Sequence, residues 1–293
     1  MDQWLDCFEP ERRLELRVFD NKNAKGLATP ETCKLLMKTV AIGSVLPSGI
    51  KAFARIVLGR RVSNLSRIAA FVKDRTGLEI GGPSGTFQDS GILPIYRYAA
   101  QIDNCVFAEQ TYWEDARCEG RSYLYHPRKP KGVNFIREST DLRDIEDSSY
   151  GFLLASHTLE HTANPIKALK EWKRVVRPGG LVVVVLPHYR HTFDRKRQPT
   201  SVSHMMDDYA QNRDESDLSH IEAVLELQEF TPTDKVPSRE HFRAMLQNNK
   251  QIRLMHHHVF DEQNSEALLK TGGFDLLQVQ VIMPHHIVLL CTA

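Results

Sequence analysis

Thirteen histidines stand in the 293 residues of this chain, and eight of them (His188, His191, His204, His220, His241, His256, His257 and His258) fall between residues 188 and 258. An imidazole changes charge near neutral pH and ligates divalent metals, so this density suggests proton transfer or metal binding. A second stretch with chemical content is GLEIGGPSGTF, residues 77–87. It sets a carboxylate, Glu79, ahead of Gly81 and Gly82, then Pro83, Ser84 and Gly85. Glycines let a backbone approach a ligand closely, and a helix N-terminus behind them would offer free N–H groups. An ordinary tight turn is the plainer reading, and the elements around the stretch decide between the two.

Those elements read as strand, helix, strand with short joints. Leu78 and Ile80 lead into the glycine bend, and AAQIDNCVF and GFLLASHTL are two further apolar runs. Asn164 and Pro165 mark a helix start, as cap and first-turn residues. Behind them Ile166, Leu169, Trp172, Val175 and Val176 fall on one stripe. RPGG ends that helix, and LVVVVLP follows without alternation, as a strand buried on both faces does. The last thirty residues predict helix, Gly-Gly stop and two strands joined tightly around Pro284, hence antiparallel. The expected fold is therefore α/β, with a mostly parallel sheet ending in an antiparallel hairpin. Residues 1–75 read as a helical segment, serving as a lid or a dimer contact. Residues 76–293 form the main domain, and 188–258 are an insertion placed where such sheets bind ligands. Arg60, Arg61, Arg67 and Lys73 read as a solvated helix surface.

Taken together, these segments resemble class I S-adenosylmethionine-dependent methyltransferases, whose seven-stranded Rossmann-like sheet is the implied fold. Glu79, Gly81 and Gly85 match E-x-G-x-x-x-G, and Asp103 follows twenty-four residues after Glu79. The resemblance implies cofactor-binding roles for Glu79, Gly81, Gly82 and Gly85, with Asp103 on the ribose hydroxyls. It also implies Asp141 and Leu142 beside the adenine, and Ser156 and His157 lining the pocket. Gly151 departs from the pattern, since the family usually has Asp there. P-H-x-x-x-T-F-D-x-x-R-x-x-T-x-x-x-H, residues 187–204, resembles a subgroup associated with sugar or surface-polysaccharide modification. The expected function is methyl transfer to the oxygen or nitrogen of a small polar acceptor. A cofactor-binding but catalytically silent relative is the alternative.

A hydroxyl acceptor needs a general base. The candidates in the insertion are His188, His204, His220 and His257, with Asp194. Most of its histidines taken singly read as structural. A divalent metal held by His188, His191 and Asp194 is the lesser reading, because no H-E-x-x-H pattern supports it. Arg190, Arg195, Lys196 and Arg197 could capture an anionic group of the acceptor. The net charge of +1 and the lack of an aromatic-basic platform speak against nucleic acid as substrate. Five scattered cysteines without a CxxC pair suggest a reducing compartment, and no apolar leader or membrane span is legible. The expected location is the cytoplasm.

Overall fold

The computed structural model describes residues 61–111, 117–229 and 238–293. The expectations for residues 1–60, Arg60 included, lie outside the described residues. Eight strands form one sheet: β1 (Thr76–Ile80), β2 (Gln101–Val106), β3 (Gly120–Tyr123), β4 (Gly132–Ile136), β5 (Tyr150–Ser156), β6 (Val176–Pro187), β7 (Asp275–Ile282) and β8 (His286–Thr292). Their order is β3-β4-β2-β1-β5-β6-β8-β7. β4, β2, β1, β5 and β6 run parallel. β8 pairs antiparallel with β6 and β7, and β3 antiparallel with β4. The mostly parallel sheet and its closing hairpin are as expected. The eighth strand, β3, was not. Its four residues, Gly-Arg-Ser-Tyr, are too short and polar to show a strand pattern.

Both faces of the sheet are buried, and the Val-rich run shows why it does not alternate. Val182, Val184 and Leu186 of β6 enter one core with Trp172 and Leu268, while Leu181, Val183 and Val185 enter the other with Phe87 and Tyr96. The first core lies under α2 (Pro165–Val175) and α7 (Glu262–Thr271). Asn164 caps α2 by accepting a hydrogen bond from the Lys167 N–H at 3.0 Å, and Pro165 fixes its first turn. The second core lies under α1 (Leu65–Val72), whose Ile68 and Val72 are buried while Arg67 and Lys73 face solvent. Ser63 and Asn64, just ahead of α1, bond the Gln280 and Gln278 side chains of the edge strand β7 and so tie the start of α1 to one face of the hairpin.

The insertion is helical: α3 (Val202–Ala210), α4 (Ile221–Leu227), α5 (Arg239–Gln247) and the short α6 (Asn249–Ile252). Ile221, Val224, Leu225, Phe242, Leu246 and Met255 give it a small core of its own. Its last segment returns to the sheet, where His188 bridges Phe260 beyond the tip of β6. Among the described residues, no helix is long and apolar enough to cross a membrane.

Candidate functional site

The strand order reverses at β1, which has β2 on one side and β5 on the other. Ligands of open α/β sheets bind at such a switch point, beyond the C-terminal strand ends. The glycine bend sits there. Gly81 adopts a left-handed φ of 72°, and a Cβ on it would stand 2.4 Å from Thr158 Cγ2 in the loop after β5. Only glycine permits both this conformation and this approach. Ser84 then caps a 3-10 turn, Gly85–Phe87, by accepting from the Thr86 N–H at 3.1 Å. Thr86 Oγ1 and Ser156 Oγ, 2.8 Å apart, join the bend to β5.

Contrary to expectation, no long helix follows the bend. Asp89, Gly91 and Pro94 interrupt residues 88–100. The chain instead folds back over the sheet, with Leu93 N–H on the Thr86 carbonyl and Ile92, Leu93, Ile95 and Tyr96 buried. The bend therefore presents backbone alone, without a helix terminus behind it.

Glu79 is fully buried and shapes the bend from within. It accepts hydrogen bonds from the Ser84 N–H at 3.1 Å, the Tyr96 hydroxyl at 2.8 Å and the Tyr123 hydroxyl at 2.5 Å. Burial and this carboxylate push both phenols well above their ordinary range, so they stay protonated and donate. Asn104 completes the frame, its Oδ1 taking the Gly82 N–H at 2.9 Å. Sequence reading missed Asn104. It pairs in register with Glu79, and side chains alternate along a strand, so Asn104 shares the face of Glu79 while Asp103 takes the opposite one.

That alternation corrects the placement of Asp103. The residue pairs with Leu78, two positions short of the end of β1, and is buried. Its carboxylate is engaged by the Val133 N–H at 2.8 Å, the Gln101 amide at 2.7 Å and the Tyr150 hydroxyl at 3.0 Å. It therefore braces β2 from below and leaves the crevice to others. The acid beyond the tip of β2 is Glu109, exposed to solvent. Beyond β4, Asp141 is half-exposed and paired with Arg143, whose hydrogen bond is the main cause holding its carboxyl below the usual range. Leu142 is core, its N–H held by Glu171 at 2.8 Å, so it does not reach the crevice.

Beyond β5 the motif SHTLEH forms a compact polar string. His157 has a left-handed φ of 52°, uncommon for a non-glycine residue. Its Nε2 lies 2.9 Å from His286 Nδ1 and its Nδ1 lies 3.4 Å from Glu160 Oε1. Burial works to raise the Glu160 carboxyl, but His157, His161 and His256 outweigh it and hold the group below its ordinary value. Burial, aided by His256, pushes His161 down to about 4, and burial, aided by His157, pushes His285 down to about 3.

The candidates in the insertion divide. His188 is spent on structure: its Nε2 meets Glu262 at 3.0 Å and its Nδ1 accepts the Arg190 N–H at 3.2 Å. Asp194 is buried between Arg197 at 2.9 Å and His256 Nδ1 at 2.6 Å, away from His188, so the spacing His188–His191–Asp194 forms no common site. His257 is buried with Nε2 on the Asn249 amide at 3.0 Å. His204 and His220 do come together, Nε2 to Nε2, at 3.3 Å. Of the four cations, Arg195 and Lys196 share Glu229 and Arg197 takes Asp194, which leaves Arg190 against Tyr189.

Residues 53–279 match a family model described as "Methyltransferase domain". Over 59 residues the chain is 36% identical to the ubiquinone/menaquinone biosynthesis C-methyltransferase UbiE of Bdellovibrio bacteriovorus, a stretch covering 20% of this chain and 25% of that protein. The chain thus spans about a quarter of the length of the curated relative it matches. Similar solved structures include the 1,6-didemethyltoxoflavin-N1-methyltransferase of Burkholderia thailandensis with 1,6-didemethyltoxoflavin and S-adenosylhomocysteine bound (12% identical, 91% of each chain, TM-score 0.42). Another is an S-adenosylmethionine-dependent methyltransferase from Mesorhizobium loti (11% identical, 78% of this chain and 95% of that one, TM-score 0.44). The family match runs from ahead of the glycine bend to the edge strand β7, and this protein belongs to the methyltransferase-domain family.

Proposed function

We propose that the protein transfers a methyl group from S-adenosylmethionine to an oxygen or nitrogen of a small polar acceptor. The observation that carries this reading is the glycine bend at the β1–β5 switch point, in a chain of the methyltransferase-domain family. The residues at that edge fit an adenosyl group. The bend offers close-approaching backbone, and Glu109 and Asp141 offer carboxylates past two strand tips. When bound, S-adenosylmethionine supplies an electrophilic methyl on a sulfonium, whose transfer depends mainly on alignment.

The chain's own groups divide the remaining work. Glu79 and Asn104 hold the bend in its ligand-accepting shape. Glu109 and Asp141 accept hydrogen bonds from the hydroxyl and amine donors of the adenosyl group. The His157–His286 pair takes the proton of an acceptor hydroxyl, and the Glu160 carboxylate 3.4 Å from His157 Nδ1 stabilises the imidazolium that forms. With three of the four insertion cations neutralised, an uncharged acceptor such as a sugar hydroxyl fits better than an anion.

Isothermal titration with S-adenosylhomocysteine tests the reading. Glu109→Ala with Asp141→Ala alters two surface side chains, so the protein stays folded and affinity falls at least about a hundredfold, from charge-assisted hydrogen bonds of about 1.5–3 kcal/mol each. Equal affinity in wild type and double variant contradicts the assignment of these residues. No saturable heat in the wild type contradicts the function.

A further inference from the structure

We propose that His204, Asp208, His220 and His258 form a site for one divalent transition metal of the zinc class. The four residues come from three separate elements. His204 and Asp208 stand four apart on α3 and so share one face of that helix. His220 is the residue ahead of α4, and His258 lies in the extended return segment before α7. Asp208 and His258 are buried, whereas the His204 side chain is 41% exposed and leaves a route for an ion to enter.

The ligand atoms of His204, Asp208 and His258 cluster as metal ligands do around a common centre, and His220 joins the cluster through His204. His204 Nε2 lies 3.3 Å from His220 Nε2 and 3.4 Å from Asp208 Oδ2, and Asp208 Oδ2 lies 3.8 Å from His258 Nε2. Ligands about 2.0–2.1 Å from a tetrahedral zinc stand about 3.4 Å from one another. One ring nitrogen each of His204 and His258 and one oxygen of Asp208 lie within 4.8 Å of each other.

Hydrogen bonding alone leaves this group unsatisfied. If one Nε2 of the His204–His220 pair donates to the other, nothing reaches Asp208 Oδ2, which is buried without a hydrogen-bond partner among the described residues. A buried, unpaired carboxylate oxygen is costly, and a cation at the centre answers it and both imidazoles together. His258 Nε2 also lies 3.3 Å from the Ala163 carbonyl oxygen, so a proton on that nitrogen competes with the metal. The other two histidine groupings are less open to an ion, since Asp194 already holds His256 Nδ1 and His286 already bonds His157.

Three imidazoles and one carboxylate suit zinc and the neighbouring transition metals over calcium or magnesium. A metal here would fasten α3, the start of α4 and the return segment to one another, beside the loop after β5. The site does not depend on the cofactor reading, because none of its ligands belongs to the bend or to the His157 string.

The test uses the full chain, stripped with a chelator and titrated with zinc chloride by calorimetry. We expect one equivalent bound in the micromolar range or tighter, a higher melting temperature with zinc, and the visible absorption of tetrahedral cobalt when Co(II) replaces it. His204→Gln and Asp208→Asn each weaken zinc binding tenfold or more. Both variants keep the circular dichroism and S-adenosylhomocysteine affinity of wild type, which separates this proposal from the functional one. No saturable binding by wild type, or equal affinity in wild type and both variants, overturns the site and leaves an imidazole pair sharing a proton.

Discussion

At the tip of β1, Glu79 is buried with donors on both oxygens, from Ser84, Tyr96 and Tyr123. At the junction of α3 and α4, Asp208 is also buried, yet its Oδ2 has no hydrogen bond and faces imidazole nitrogens at 3.4 and 3.8 Å. The first carboxylate is complete without a ligand and serves the shape of the backbone around it. The second has no hydrogen-bond donor on Oδ2 among the described residues. A buried acid therefore marks scaffold or site according to whether its donors are already present.

The contrast breaks first, and by the largest amount, at Glu79. Glu79→Ala strands the buried Tyr96 and Tyr123 hydroxyl donors, while Ser84 N–H keeps the Tyr96 oxygen at 2.7 Å, and is expected to cost about 2–6 kcal/mol, from about 1–3 kcal/mol per unsatisfied group. A denaturant melt reads this directly, and an unchanged midpoint would show that the bend does not depend on its acid. Next in size, His157→Gln lowers turnover about a hundredfold while S-adenosylhomocysteine binds within a few-fold of wild type. Loss of affinity with turnover would instead assign His157 to the cofactor. Asp103→Ala sharpens the difference between bracing and binding: stability falls by about 1–3 kcal/mol and cofactor affinity holds. An affinity loss without destabilisation returns Asp103 to the crevice.

Acid tests the polar string after β5. His161 and His285 titrate near 4 and 3 in the folded protein against an ordinary 6.5. The unfolded chain thus binds more protons below 6.5, so their contribution is fully present above that pH and is lost as pH falls from 6.5 towards 4. Melting temperatures recorded across that window should fall, and a flat profile would mean that these rings are not desolvated. The smallest effect belongs to Asp208. In metal-free protein, Asp208→Asn removes a bare buried charge and leaves stability within about 1 kcal/mol of wild type or raises it. A large loss would mean that Asp208 is as fully partnered as Glu79.

Much of the fold was legible because its signals are local. Asn164 and Pro165 start α2, Trp172 and Val175 share its buried stripe, and the unalternating Val182–Val185 run lies inside the sheet. The short polar β3 and the missing helix after the bend carried no such signal. The path of residues 88–100 depends on packing against distant strands, where Ile92, Leu93, Ile95 and Tyr96 share a core with Leu154 and Val183. The site was legible in part. Glycine spacing marked the bend, but choosing between Asp103 and Asn104 required the register of β2 against β1. Likewise His204 and His220 were visible as residues, while their meeting with Asp208 and His258 depends on how three elements pack.

We propose that the bend at the β1–β5 switch point receives the adenosyl cofactor. Hydrogen–deuterium exchange of the full chain, with and without S-adenosylhomocysteine, tests it most directly. New protection is expected to concentrate in residues 81–86 and 156–158. Protection elsewhere with none at the bend would contradict it.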